Sequence, residues 1–210
     1  MSRHEHWEKV YRARPPNELS WYSPHLADST RLIRDAASSE ASIIDVGGGA
    51  STLVDDLLRG GFSRLTVLDI SESAISHTRT RLADDARRVT WIQADITSAD
   101  LPPDAFDVWH DRAVFHFLTA EPDRRAYVQA LRRSLRSGGH VVISTFSLSG
   151  PEKCSGLDVV RYDVPALERE LGSDFALSVA EEPVHVTPGG KAQHFLLCRF
   201  ARRASNRPMR

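Results

Sequence analysis

Apolar residues occur in this chain in two arrangements. Short, largely apolar runs fall at 42–46, 65–69, 89–93, 106–110 and 141–146. Runs of this length without polar alternation predict strands covered on both faces. Between them the spacing is helical. Residues 25–37 carry Leu26, Leu32 and Ile33, and residues 51–59 carry Leu53, Val54, Leu57 and Leu58. Further helices are predicted at 72–86, with Ser71 or Ser73 as the cap, at 121–136, with Tyr127, Val128, Leu131 and Leu135 inward, and near 164–171. Gly60-Gly61 and Gly138-Gly139 read as stops or turns. Residues 1–24 read as irregular: Pro15-Pro16 interrupts them and Trp7, Tyr11, Trp21 and Tyr22 crowd them.

Strands alternating with helices predict a doubly wound, mostly parallel α/β sheet with helices on both faces. The end of the chain departs from this alternation. Runs at 176–186 and 192–200 flank Thr187-Pro188-Gly189-Gly190, a turn signal, and predict a C-terminal antiparallel hairpin. No repeat or interior linker divides the chain, so residues 25–202 are expected to form one domain. Residues 203–210 read as a flexible tail.

Composition narrows the function. The 210 residues carry 27 Lys+Arg against 28 Asp+Glu, a net charge of −1, which does not suit a general nucleic-acid binder. No apolar run is long enough to span a membrane, and the polar start MSRHEHWEKV lacks a secretion signal, so the expected location is cytoplasmic. Cys154 and Cys198 are too few for a disulfide framework, and His185 and His194 have no third ligand at metal-binding spacing. No metal is expected. The Arg-rich stretch 124–136 reads as a solvated helix face, and Cys198 as core.

In an open α/β sheet, ligands bind beyond the carboxyl ends of the strands. Those ends carry Asp45 followed by Gly47-Gly48-Gly49 and Ser51, then Asp69, Asp95 and His110-Asp111-Arg112. A glycine turn opening a helix admits a ligand close to the backbone. Asp69 lies 20 residues beyond Gly49 (69 − 49 = 20), the spacing of an acid that accepts hydrogen bonds from ribose hydroxyls. A pyrophosphate fits poorly, because Thr52 stands where a third glycine is wanted and Asp45 would repel it. This argues against a nicotinamide-dependent oxidoreductase. Asp45 suits instead a ligand with an ammonium and a sulfonium.

Asp45-x-Gly47-x-Gly49, Asp69, Gln93-Ala94-Asp95 and the strand Phe106-Asp107-Val108 together resemble the class I S-adenosylmethionine-dependent methyltransferases, over about residues 25–200. The resemblance implies a seven-stranded sheet with its last strand antiparallel, and S-adenosylmethionine as co-substrate. It implies that Asp45, Gly47, Gly49 and Ser51 flank the methionine part of the co-substrate. Asp69 with Ile70 would hold the ribose, and Asp95 with Ile96 would frame the adenine. Asp111 and Arg112 open toward the methyl donor. Residues 1–24 resemble an aromatic lid that brings Tyr11 and Trp21 over the site. His110, Asp111 and His116 are the candidate catalytic bases, with His185 as a further one; His116 reads first as a packed or hydrogen-bonded histidine, and Asp111 also as the cap of the next helix, paired with Arg112. Cys154, in the loop 147–163, reads as a small loop residue, with contact to the acceptor as the alternative. The reading favours transfer to a small molecule through O, N or S. A protein lysine or chain terminus is the alternative acceptor, and a non-enzymatic cofactor binder is more remote.

Overall fold

The computed structural model describes residues 2–204. Six α-helices lie at Arg3–Ala13 (α1), Ala27–Ala36 (α2), Leu53–Arg59 (α3), Glu72–Leu82 (α4), Glu121–Ser134 (α5) and Val164–Leu171 (α6). The strands run Ser42–Val46 (β1), Arg64–Asp69 (β2), Val89–Gln93 (β3), Phe106–Arg112 (β4) and Leu135–Phe146 (β5). The short pair Lys153–Cys154 (β6) and Leu157–Asp158 (β7) follows, then Phe175–Glu181 (β8), Val184–Val186 (β9) and Ala192–Arg202 (β10).

The main sheet has the order β3-β2-β1-β4-β5-β10-β8, with β9 also paired to β10. β1 to β5 pair in parallel, while β10 runs antiparallel to β5, β8 and β9. The order reverses between β1 and β4, and the crevice for a ligand opens at that switch point. Alternate residues of each strand feed opposite cores. Ile44, Trp109 and Ile143 pack with α5 and α6, whereas Ile43, Val108 and Val142 pack with α2 and α3. Burial on both faces is why these strands read as largely apolar runs.

The structure differs from the sequence reading at four places. Residues 3–13 are a helix rather than irregular chain. Its N-cap Ser2 accepts from Glu5 N, and the Glu5 side chain accepts from Ser2 N. This capping box, Ser2-x-x-Glu5, starts a helix whatever aromatics follow. Secondly, β4 runs to Arg112, so His110, Asp111 and Arg112 sit within a strand. Thirdly, β5 starts directly after α5 at Leu135, and Gly138 (φ +77°) with Gly139 bends the strand instead of preceding it. The β4–β5 register shifts there, between Phe106 and Val108. Finally, the loop 147–163 contains the β6–β7 hairpin.

Among the described residues no helix is long and apolar enough to cross a membrane. Of the expected tail at 203–210, residues 205–210 lie outside the described residues, while Arg203 N donates to Asp174 O at 2.8 Å.

Candidate active site

The site is built from three parallel strand ends and the helix that crosses them. In the β1–β4 register Asp45 lies beside His110. His110 Nδ1 is 2.6 Å from Asp45 Oδ1, and its Nε2 is 2.9 Å from Ser29 Oγ. Both side chains are buried, and Asp45 Oδ2 has no partner. The chain then turns through Gly47 at φ +71°, a conformation that favours glycine. A side chain at Gly47 would collide with Val114, and one at Gly48 with Asp45 Oδ2. The bare turn leaves the backbone open beside Asp45.

At the end of β2, Asp69 Oδ2 accepts from Gly49 N at 3.0 Å and Oδ1 from Ser71 N at 2.8 Å. Burial pushes its carboxyl up to about 6, against the opposing pull of these amides, and the nearby Asp45 adds to the rise. Beyond β3, Asp95 Oδ1 accepts from Thr97 N and Oγ1, and its Oδ2 is 3.3 Å from Arg3.

These ends open into a cavity with about 850 Å³ of empty space, open solvent at its mouth included. Of the residues expected to bind the co-substrate, Tyr11, Trp21, Gly47 and Asp69 line it, as do Ile70, Asp95, Ile96 and Arg112. Asp45 and Ser51 border a smaller side cavity, shared with Gly47 and Arg112. Gly49 lines neither and acts through Asp69. Helix α1 closes the top. Glu8 reaches the N-terminus of α4, where it accepts from Ser71 Oγ at 2.7 Å and from Ser73 Oγ and N at 2.5 and 3.2 Å. Partial burial opposes its ionisation, but these hydrogen bonds prevail and hold its carboxyl at about 2. The helix carries Trp7 against Phe117, ring centres 4.9 Å apart, and against Trp21 at 5.8 Å.

The three candidate bases occupy structural positions. His110 borders the side cavity with both ring nitrogens engaged. Asp111 is fully buried and accepts from Val114 N, Phe115 N and Tyr127 Oη, while Tyr127 Oη accepts from Trp109 Nε1. His116 is buried flat against Phe146, and its Nδ1 accepts from Phe146 N. Burial first, and the Arg112 charge second, push the His116 imidazole down to about 3. Asp111 and His116 line neither cavity. His185 Nε2 donates to Ser20 O at 2.8 Å, and the strand register places it opposite Gln193, not His194. Among the described residues no cluster could hold a metal.

Cys154 lines the cavity and is 8% exposed, and burial pushes its thiol up. Phe146, Gln193 and Phe195 complete the wall. The sequence marked none of these three, because in a strand such residues are indistinguishable from core or edge positions. Arg3 and Glu8 were equally silent, although the Ser2-x-x-Glu5 box could have announced the helix that carries them.

The residues fit S-adenosylmethionine. The unpartnered Oδ2 of Asp45 matches an ammonium, the side-chain-free turn at Gly47 admits the ligand, and Asp69 offers carboxylate lone pairs at ribose spacing. A family model described as a methyltransferase domain matches residues 43–139. The eEF1A lysine and N-terminal methyltransferase homolog of Drosophila melanogaster is 26% identical over 144 residues, 66% of this chain and 21% of that protein. EEF1A lysine methyltransferase 2 of Danio rerio is 31% identical over 114 residues, 51% of this chain and 49% of that protein. The chain spans about a fifth of the length of the larger relatives from Drosophila, Danio and Bos.

The fold recurs in a structure from work on conversion of a disulfide into a thioacetal during echinomycin biosynthesis. Its TM-score is 0.77 at 22% identity, covering 97% of this chain and 94% of that one. It recurs in Burkholderia thailandensis 1,6-didemethyltoxoflavin-N1-methyltransferase with bound 1,6-didemethyltoxoflavin and S-adenosylhomocysteine, with TM-score 0.69 and 17% identity over 95% and 84% of the two chains. Residues 43–139 thus match a methyltransferase domain, and the fold is shared with S-adenosylmethionine-dependent methyltransferases.

Proposed function

We propose that the protein transfers the methyl group of S-adenosylmethionine to a small molecule held under α1. The observation that carries this reading is the cavity itself. Its co-substrate side offers the carboxylates of Asp69 and Asp95, and its other side is apolar and aromatic, made by Trp21, Phe117, Phe146 and Phe195. Such a chamber suits a compact acceptor and excludes water from it.

The co-substrate supplies an electrophilic methyl on a sulfonium. The chain's residues bind and align. Asp45, steadied by His110, takes the ammonium; Asp69 takes the ribose hydroxyls; Asp95 and Ile96 border the adenine. Glu8 and Trp7 hold the roof down. Alignment of the acceptor with the methyl carbon and sulfur is the main contribution asked of the protein. A proton acceptor at His110, Asp111 or His116 would have to abandon the hydrogen bonds given above, so the reading assigns them positioning work.

A second reading, a protein lysine acceptor, is favoured by the names of the curated relatives. Thermal melting with S-adenosylhomocysteine, and with NAD as control, tests the co-substrate. Ligand at 100 times its Kd adds about 2.7 kcal/mol, a shift of roughly 5–10 °C at this size. Methyl-labelled donor, given in turn with small aromatic acceptors and with lysate protein, separates the two acceptors. Label in protein alone overturns the small-molecule reading.

A further inference from the structure

Among the described residues, Arg112 is the one side chain that borders the main cavity, the side cavity beside Asp45 and an outer cleft formed with Tyr22, Pro183 and His185. Its guanidinium is fixed from two sides. Nη1 donates to Trp21 O at 2.8 Å, and the Phe195 ring lies 5.2 Å from the guanidinium carbon. Among the described residues no carboxylate lies within ion-pair distance of it. Asp45 is the acid whose field it feels, and Asp45 is committed to His110 and faces the ammonium side. A guanidinium spends five donors, and one is used here. A charge kept in apolar surroundings without a partner is costly, and burial accordingly pushes Arg112 down to about 10.

We propose that Arg112 selects the methyl acceptor: it draws in a flat apolar molecule bearing an anionic group, a carboxylate, thiolate or phenolate, and turns away a cationic amine. This rests on the methyl-transfer reading above. The acceptor side of the cavity is aromatic, and Arg112 is its fixed charge, with no carboxylate there to receive an ammonium. The same choice removes the need for a base. An acceptor bound as its anion uses its own lone pair to form the bond to the methyl carbon. The carbon–sulfur pair stays on sulfur, which becomes a neutral thioether, and no proton has to leave.

The test uses the full chain saturated with S-adenosylhomocysteine and three ring probes of one size: benzoate, benzamide and benzylamine. Quenching of tryptophan fluorescence reports binding, since Trp7 and Trp21 line the cavity. Benzoate should bind at least about tenfold more tightly than benzamide, and benzylamine most weakly. Arg112→Gln should level the series, and Arg112→Lys, which keeps the charge, should restore the preference. Affinity for S-adenosylhomocysteine is measured on both variants as the control for co-substrate binding. With S-adenosylmethionine, thiophenol should be methylated on sulfur and benzylamine should not be methylated on nitrogen; the reverse overturns the proposal.

Benzylamine equal to or tighter than benzoate overturns the proposal, as does a wild-type protein that binds none of the three. So does an Arg112→Gln variant that loses about tenfold in S-adenosylhomocysteine affinity while keeping the benzoate preference, because Arg112 then serves the co-substrate's own carboxylate. Wild-type protein that binds no S-adenosylhomocysteine overturns the methyl-transfer reading and this one with it. Normal binding of that compound without a charge preference overturns this one alone.

Discussion

His110 holds Asp45 in place: Nδ1 stands 2.6 Å from Asp45 Oδ1, and Ser29 Oγ holds the opposite ring nitrogen at 2.9 Å. The pair joins two neighbouring strands at the switch point, so the carboxylate is aimed before any ligand arrives. Its Oδ2 has no partner, and the proposed function gives that atom to the ammonium of the co-substrate.

Removing that support should weaken both the fold and the binding. For His110→Ala we expect a stability loss of about 1–3 kcal/mol from the orphaned Asp45 and Ser29 groups. Affinity for S-adenosylhomocysteine should fall by about tenfold. Calorimetric titration at a temperature where the variant is folded separates the two. Unchanged affinity would mean that Asp45 does not meet the ligand.

Asp69 gives a pH dependence with a definite sign. Its carboxyl is held at about 6, and the ionised form is the better acceptor for ribose hydroxyls. Affinity for S-adenosylhomocysteine should therefore weaken as pH falls through about 6. Asp69→Asn should bind about tenfold or more weakly, with that inflection gone. In the ligand-free protein the sign is opposite. An acid with a raised folded value binds more protons when folded, so its burial cost is present above about 6 and is relieved as pH falls toward its ordinary 3.8.

Glu8 works the other way. Its carboxyl is held near 2 by Ser73 and Ser71, against an ordinary value of 4.5. Its contribution is complete above about 4.5 and is lost as pH falls toward 2. Glu8→Ala should release α1 at neutral pH. Trypsin should then cut faster after Lys9 and Arg12, and S-adenosylhomocysteine should dissociate sooner while the midpoint of global unfolding moves little. Unaltered proteolysis would show that the aromatic contacts of Trp7 suffice as the anchor.

Gly48 and Gly189 make a matched pair. A methyl group at 48 would run into Asp45 Oδ2, whereas one at 189 meets only Thr187 Oγ1, at 3.8 Å. Gly48→Ala should displace the buried carboxylate and abolish detectable ligand binding. Gly189→Ala should change stability by no more than about 0.5 kcal/mol. Isothermal titration and urea unfolding of both read the contrast directly.

Asp111 should prove structural. Asp111→Ala strands Tyr127 Oη and two backbone amides, at about 1–3 kcal/mol for each group. Asp111→Asn, which can still accept, should melt at a lower temperature yet retain methyl transfer when folded. Loss of turnover in a well-folded Asp111→Asn protein would restore it as a base.

The sequence by itself determined the sheet, its mostly parallel direction and the end at which ligands enter. Alternating strand and helix signals admit few topologies, and β1 to β3 each end within two residues of an acid: Asp45, Asp69 and Asp95. Those positions follow from local pattern because a strand's end is a local event. The tasks of His110, Asp111 and His116 did not follow. Each partner lies far along the chain, Asp45 at a separation of 65 residues and Phe146 at 30, or across a helix, as with Tyr127. Only the register of packed strands brings such groups within hydrogen-bond distance. The same holds for the acceptor wall, where Trp21, Arg112 and Phe195 meet from the beginning, middle and end of the chain. Periodicity tells which face a side chain takes. What it meets there is decided by how that face is covered, and tertiary packing sets that.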